Sequence, residues 1–224
     1  MSAAAQRHLS ADPAWSRLIA RVGRPRIEIA RAQSPYEALM RAIAHQQLHG
    51  RAARAIQARF TALYPDTPFP TPAQVLATDE AMLRGCGFSA GKVASLREIS
   101  ARALDGTVPT RRAAQRLSDA ALIERLTQIR GVGRWTVEML LIFTLGRPDV
   151  LPVDDFGVRE GYRVLHGLQA QPRPRDLATI GQAWAPYRSY AAWYLWRAAD
   201  LARALAAERN GTAALPIQPA SEAP

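Results

Sequence analysis

Apolar residues recur at helical spacing along almost the whole chain. Ser34 before Pro35, with Glu37 three residues after the serine, reads as an N-cap, a first helical residue and a capping box. Leu39, Met40 and Ile43 then share one face. After a break at Leu48 to Gly50, the positions Ala53, Ile56, Phe60 and Leu63 predict a helix that must stop near Pro65. The Pro-rich residues 65–72 read as a loop. Short or medium helices are predicted over 79–83, 92–104 and 120–129. Residues 134–145 are apolar all round, as in a helix buried on most sides.

No alternating run flanked by turn dipeptides predicts a sheet, so the expected fold class is all-α. Residues 1–210 are expected to form the folded part, and the Ala/Pro-rich residues 211–224 a disordered tail. No apolar run approaches the ~18 residues of a membrane span. The N-terminal MSAAAQRHLSADP has no apolar stretch after its first charge, so no signal peptide is expected. Cys86 is the only cysteine, which excludes an internal disulfide, a cysteine-ligated zinc and an iron–sulfur cluster, and points to the cytoplasm.

Charge changes the picture. Lys and Arg total 29 against 19 Asp and Glu, a net charge of +10, and Lys92 is the sole lysine. GC-rich codon usage explains a preference for Arg over Lys but not the excess over acids. That excess favours a polyanionic partner, most simply nucleic acid.

The segment LTQIRGVGRWT, residues 126–136, ends one helix and begins another across Gly131-Val132-Gly133. Glycines allow a sharp turn and close approach of the main chain to a ligand. The first amides of the second helix, with Arg134 and Thr136 beside them, suit a phosphate, and Val132 can plug the turn into the core. Such a hairpin holds a nucleic-acid backbone without reading bases. An ordinary helix connection with a glycine cap gives the same spacing.

The segment LPVDDFGVR, residues 151–159, follows the buried helix. Asp155 sits where an amphipathic helix resumes, which suits a plain N-cap. A carboxylate close to a phosphate-binding hairpin repels the ligand unless it has a task. Glycosidic-bond cleavage supplies one: stabilising an oxocarbenium-like sugar and orienting or deprotonating a water.

These stretches together resemble the helix-hairpin-helix DNA glycosylase superfamily, within it the 3-methyladenine DNA glycosylase II (AlkA-like) branch. RAIAHQQL (residues 41–48) is similar to its first core helix and Gln-rich turn, and CGFSAGK (86–92) to its Gly-aromatic-Ser…Lys segment. The hairpin, the Pro-x-x-Asp-aromatic-Gly loop at 152–157 and the Trp-x-Pro-x-Arg-Ser-x-Ala…Trp element at 184–196 complete an ordered match over about residues 12–205.

The resemblance implies two helical subdomains with a DNA-binding cleft between them: a central one over about 40–150, and a second from about 10–39 plus 151–205. The extra N-terminal β-rich domain of longer members is expected to be absent. The catalytic aspartate falls on Asp155, because Phe156-Gly157 sets the register; the Val-Asp pattern of other superfamily members would choose Asp154. Bifunctional members carry a lysine where this chain has Trp135, so water is the expected nucleophile and an abasic site the product. Trp135, Tyr190, Trp193 and Trp196 match or neighbour base-pocket aromatics, whose faces attract a cationic alkylpurine; helical spacing also suits them to a core. Gln46, Gln47 and Leu48 form the turn that supplies a wedge, from Gln47 or Leu48, when the base leaves the stack. Main-chain carbonyls of Thr127, Ile129 and Val132 would hold a monovalent cation, sodium or potassium. No other cofactor is required.

The expected function is hydrolysis of the N-glycosidic bond of 3-methyladenine or 7-methylguanine in duplex DNA, by a monomer at the bacterial nucleoid. The alternatives are a non-catalytic hairpin protein that binds DNA, and a glycosylase for hypoxanthine, uracil or an oxidised purine.

Overall fold

The computed structural model describes residues 2–46 and 50–210. Among these residues every regular element is a helix. In chain order they are α1 (Ser2–Leu9), α2 (Pro13–Val22), α3 (Pro35–His45), α4 (Gly50–Ala62), α5 (Pro72–Ala77), α6 (Glu80–Gly85) and α7 (Ala90–Leu104). Then come α8 (Arg111–Ala114), α9 (Asp119–Leu126), α10 (Arg134–Met139), a π-helical segment (Leu140–Leu145) and α11 (Phe156–Leu165). The last are α12 (Pro174–Ile180), a 3₁₀ turn (Gly181–Trp184) and α13 (Arg188–Arg209). No described helix is long and apolar enough to cross a membrane. The expectations for Gln47, Leu48 and the tail 211–224 lie outside the described residues.

Side-chain caps start most of these helices. Ser34, Thr71, Ser89, Thr110 and Ser118 each accept the N–H three residues on, and Asp12 and Asp79 the N–H two residues on. Each such cap contributes about 1 kcal/mol. Two details differ from the sequence reading. Glu37 does not close a capping box, because its carboxylate takes two hydrogen bonds from Arg41 at 2.9 and 2.7 Å. The reciprocal box belongs to Thr71 and Gln74, which start α5 at the end of the stretch read as loop. The apolar run 134–145 is also not one α-helix. It changes to π geometry at Leu140, and its last carbonyls bind outside the helix: Phe143 accepts from the Ala30 N–H at 2.8 Å, and Thr144 accepts from the Arg111 guanidinium.

The chain forms two compact units. One is residues 29–145; the other joins residues up to 28 to those from 146 onward. The sequence expectation started the central unit near residue 40; it starts at Ile29, because α3 packs its Leu39, Met40 and Ile43 face against α7, α4 and the π segment. Within that unit Val93, Leu96 and Ile99 of α7 and Leu122 and Leu126 of α9 are fully buried. Phe60 meets Tyr64, Phe69 and Phe88 edge-on. Arg111 donates to the carbonyls of Ala30 and Gln33 as well as that of Thr144, so one side chain ties the entry of the unit to its exit.

In the other unit α11 lies against α13 around a core of Trp15, Leu18, Val158, Leu177, Trp184 and Tyr194. The approach is at backbone distance: a Cβ on Gly161 would lie 1.9 Å from the Leu195 carbonyl oxygen. The loop that leads to Asp155 is clamped to the start of α13. Arg188 Nε and Nη2 each donate to Asp149 at 2.8 Å. Ser189 Oγ donates to the Arg147 carbonyl at 2.7 Å and accepts the Val150 N–H at 3.0 Å. Burial pushes the Asp149 carboxyl up, but the Arg188 hydrogen bonds outweigh it and hold the group below its ordinary range.

Two outcomes follow from this packing. Alanine is the better helix former by about 1 kcal/mol, so Gly161→Ala would stabilise an unobstructed helix. Here it is expected to destabilise by about 3 kcal/mol or more, read from chemical denaturation midpoints. Asp149 contributes stability above its unfolded value of 3.8 and loses it as pH falls through its lower folded value. The advantage of the wild type over Asp149→Asn is therefore full at pH 7 and shrinks below about pH 4, which denaturation at pH 7 and pH 3 measures.

Candidate active site

The hairpin occupies the turn between α9 and α10. Thr127 ends α9, with its hydroxyl on the Ile123 carbonyl at 2.7 Å. Ile129 is buried, and its carbonyl accepts the Val132 N–H at 3.0 Å. Gly131 has φ +78°, and a Cβ there would meet Ser95 Oγ at 2.6 Å and Ile43 Cδ1 at 3.2 Å. Only glycine meets both demands. Val132 is buried and anchors the turn. Gly133 is extended and has open space where a Cβ would be; no side chain caps the first turn of α10.

Other residues brace this turn. Gln46 Nε2 donates to the Gly131 carbonyl at 2.9 Å, so the end of α3 and the hairpin meet directly. The Lys92 amine donates to the carbonyls of Ala44 and Gln46 at 3.1 and 2.8 Å. Burial lowers its pKa. It closes the end of α3. Arg134 is more than half exposed, and its Nε donates to Glu138 at 2.9 Å, a carboxylate only 2% exposed. That acid was missed in the sequence, although its i, i+4 spacing from Arg134 is the signal for it. Thr136, expected at the DNA face, is buried, as are Val137, Glu138 and Met139 after it. Trp135 is part-buried.

The acidic pair lies in the other unit. Asp154 is exposed in a turn. Asp155 is the N-cap of α11: its Oδ1 accepts the Val158 N–H at 2.8 Å and the Trp196 Nε1–H at 2.9 Å. The cap expected from sequence is therefore real, and a second donor from α13 joins it. Gly157 leaves room for that donor, since a Cβ there would lie 2.8 Å from Trp196 Cδ1. Phe156, between them, is 69% exposed.

The four expected pocket aromatics do not behave alike. Trp193 is 8% exposed within the hydrophobic core, edge-on to Tyr194 and beneath the Arg197 guanidinium, so it is chiefly a core ring. Tyr190 is part-buried and edge-on to Tyr187, and burial raises its phenol pKa. Trp196 is part-buried and faces Asp155 through its N–H.

A carboxylate fixed by two donors can steady developing positive charge and orient a water. A glycine hairpin that leads uncapped into a helix can accept a phosphate. Comparison with known proteins places both features in one family. Residues 40–186 match the HhH-GPD superfamily of base excision DNA repair proteins. The chain is 48% identical over 201 residues to DNA-3-methyladenine glycosylase 1 of Schizosaccharomyces pombe, covering 88% of each protein. A solved structure of the S. pombe 3-methyladenine DNA glycosylase in complex with abasic DNA superposes with a TM-score of 0.78, over 86% of this chain and 95% of that one. A DNA-3-methyladenine glycosidase from Bacillus halodurans also superposes at 0.78, with 32% identity over 86% of this chain and 87% of that one. By sequence and by fold, the chain belongs to the HhH-GPD superfamily of base excision DNA repair proteins.

Proposed function

We propose that this chain is a monofunctional DNA glycosylase of base excision repair that removes alkylated purines from duplex DNA and leaves an abasic site. The observation that carries the reading is the Asp155 carboxylate, held at the N-terminus of α11 by Val158 N–H and Trp196 Nε1–H. A plain N-cap needs only the Val158 N–H; the second donor from α13 is what a catalytic carboxylate adds. The similarity to 3-methyladenine glycosylases supports the alkylpurine substrate.

The net charge of +10 draws the protein to DNA, and the hairpin holds the backbone by phosphate contacts. The damaged nucleotide leaves the stack at a cost of a few kcal/mol. An aromatic face such as that of Tyr190 takes the cationic purine. As the N-glycosidic bond breaks, its electron pair leaves with the base nitrogen, which neutralises the methylated purine. The sugar acquires oxocarbenium character beside Asp155. Water adds to C1′, and its proton passes to the carboxylate and then to solvent. A weak bond and a neutral leaving group need no general acid.

Lys92 is not assigned the role of nucleophile, since its amine donates to the carbonyls of Ala44 and Gln46. The carbonyls of Thr127, Ile129 and Val132 suit a monovalent cation: they are neutral oxygens, and a carbonyl such as that of Ile129, already bonded once, retains a second lone pair. Such a cation would add positive charge for a DNA phosphate. The protein acts as a monomer at the nucleoid, in the cytoplasm.

Asp155→Asn is expected to slow release of 3-methyladenine and 7-methylguanine from methylated duplex DNA by about 100-fold or more. Affinity for abasic DNA should stay within about threefold, because phosphate contacts carry binding. Asp154→Asn should retain excision. The opposite pattern in a free-base release assay moves the catalytic role to Asp154, and failure of the wild type to release either base overturns the alkylpurine reading.

A further inference from the structure

The indole of Trp196 packs against the hydrophobic core and also makes a polar contact. Its Nε1–H points at Asp155 Oδ1, 2.9 Å away, and this oxygen also accepts the Val158 N–H. Two donors on one oxygen fix the rotation of the carboxylate about its own axis, which a single cap does not. The main chain is arranged to allow the contact. Gly157 and Gly161 stand four residues apart on the side of α11 that meets α13. A Cβ at Gly161 would strike the Leu195 carbonyl, and one at Gly157 would lie 2.8 Å from Trp196 Cδ1, 3.3 Å from its Nε1 and 3.2 Å from Asp155 Oδ1. Gly157 lies within a regular helix and does not have a positive φ, so its backbone would accept alanine. The space above it is what excludes a side chain, and the indole fills that space.

We infer that Trp196 is the positioning residue of the reaction: its N–H sets the orientation of the Asp155 carboxylate toward the sugar, and Gly157 is the clearance that admits it. The inference rests on the glycosylase reading above. It predicts that removing the N–H while keeping an aromatic ring slows the chemical step without weakening DNA binding.

The test uses the full chain and a duplex oligonucleotide carrying 7-methylguanine, under single-turnover conditions with saturating enzyme. Trp196→Phe is expected to lower the excision rate about 10- to 100-fold, the effect of losing one hydrogen bond to a charged group. Affinity for abasic DNA should stay within about threefold of wild type. Gly157→Ala, which leaves both Trp196 and Asp155 in place, should show a similar rate loss. The double variant should be no slower than the slower single one, because both substitutions break the same contact. The indole N–H resonance of Trp196 should move in Gly157→Ala and in Asp155→Asn. This NMR signature does not depend on turnover.

Wild-type excision by Trp196→Phe, or losses that multiply in the double variant, would overturn the positioning role and leave the glycosylase reading intact. An indole resonance unmoved in both variants would also overturn it. No release of base by the wild type overturns that reading, and this inference with it.

Discussion

The backbone contact between α11 and α13 governs the half of the molecule that carries the acidic pair. Gly161 sets the distance, since nothing larger fits beneath the Leu195 carbonyl. At that distance Trp196, the next residue along α13, reaches Asp155 at the start of α11. The same helix grips the preceding loop eight residues earlier, through Arg188 on Asp149 and Ser189 on Arg147 and Val150. Eight helical residues span about 12 Å. One rigid helix thus holds the loop near its beginning and again at its end. The carboxylate inherits its precision from a contact that contains no charged group.

The hairpin follows a different logic. Its two glycines are not equivalent: Gly131 is required by a positive φ and by the crowding of Ser95 and Ile43, whereas Gly133 borders open space. Arg134 would add a cation at this point, but the buried Glu138 opposes it. An anion at this turn would therefore meet main-chain amides more than side-chain charge. The arginine surplus across the rest of the sequence supplies long-range attraction.

Much of this was legible in the sequence, because local signals survive in a single chain. Ser34 and Asp155 marked helix starts that the structure contains. Other features depend on residues far apart. The Trp196–Asp155 bond spans 41 residues and the Lys92–Ala44 bond 48, so neither has a local pattern. The π segment was hidden for another reason: when every position from Leu140 to Phe143 is apolar, the run carries no phase from which to read its winding. The helix starting at Pro72 was masked by its prolines, although Thr71 and Gln74 spell a capping box. Trp193 shows the limit of reading aromatics by spacing, because a core ring and a pocket wall recur at the same interval.

The central unit is an insertion within the chain of the other unit, and Arg111 binds the carbonyls of Ala30 and Gln33 near its entry and of Thr144 at its exit. This arrangement has a consequence for synthesis. Every partner in the inserted unit is available once residue 145 has left the ribosome. The other unit must wait for α13, which supplies Tyr194, Leu195 and both grips on the acidic loop. The nascent chain therefore has all of its glycine hairpin before the hydrogen bond from Trp196 to Asp155 can form. The hairpin is encoded to be complete first, and the surroundings of Asp155 only with the last helix.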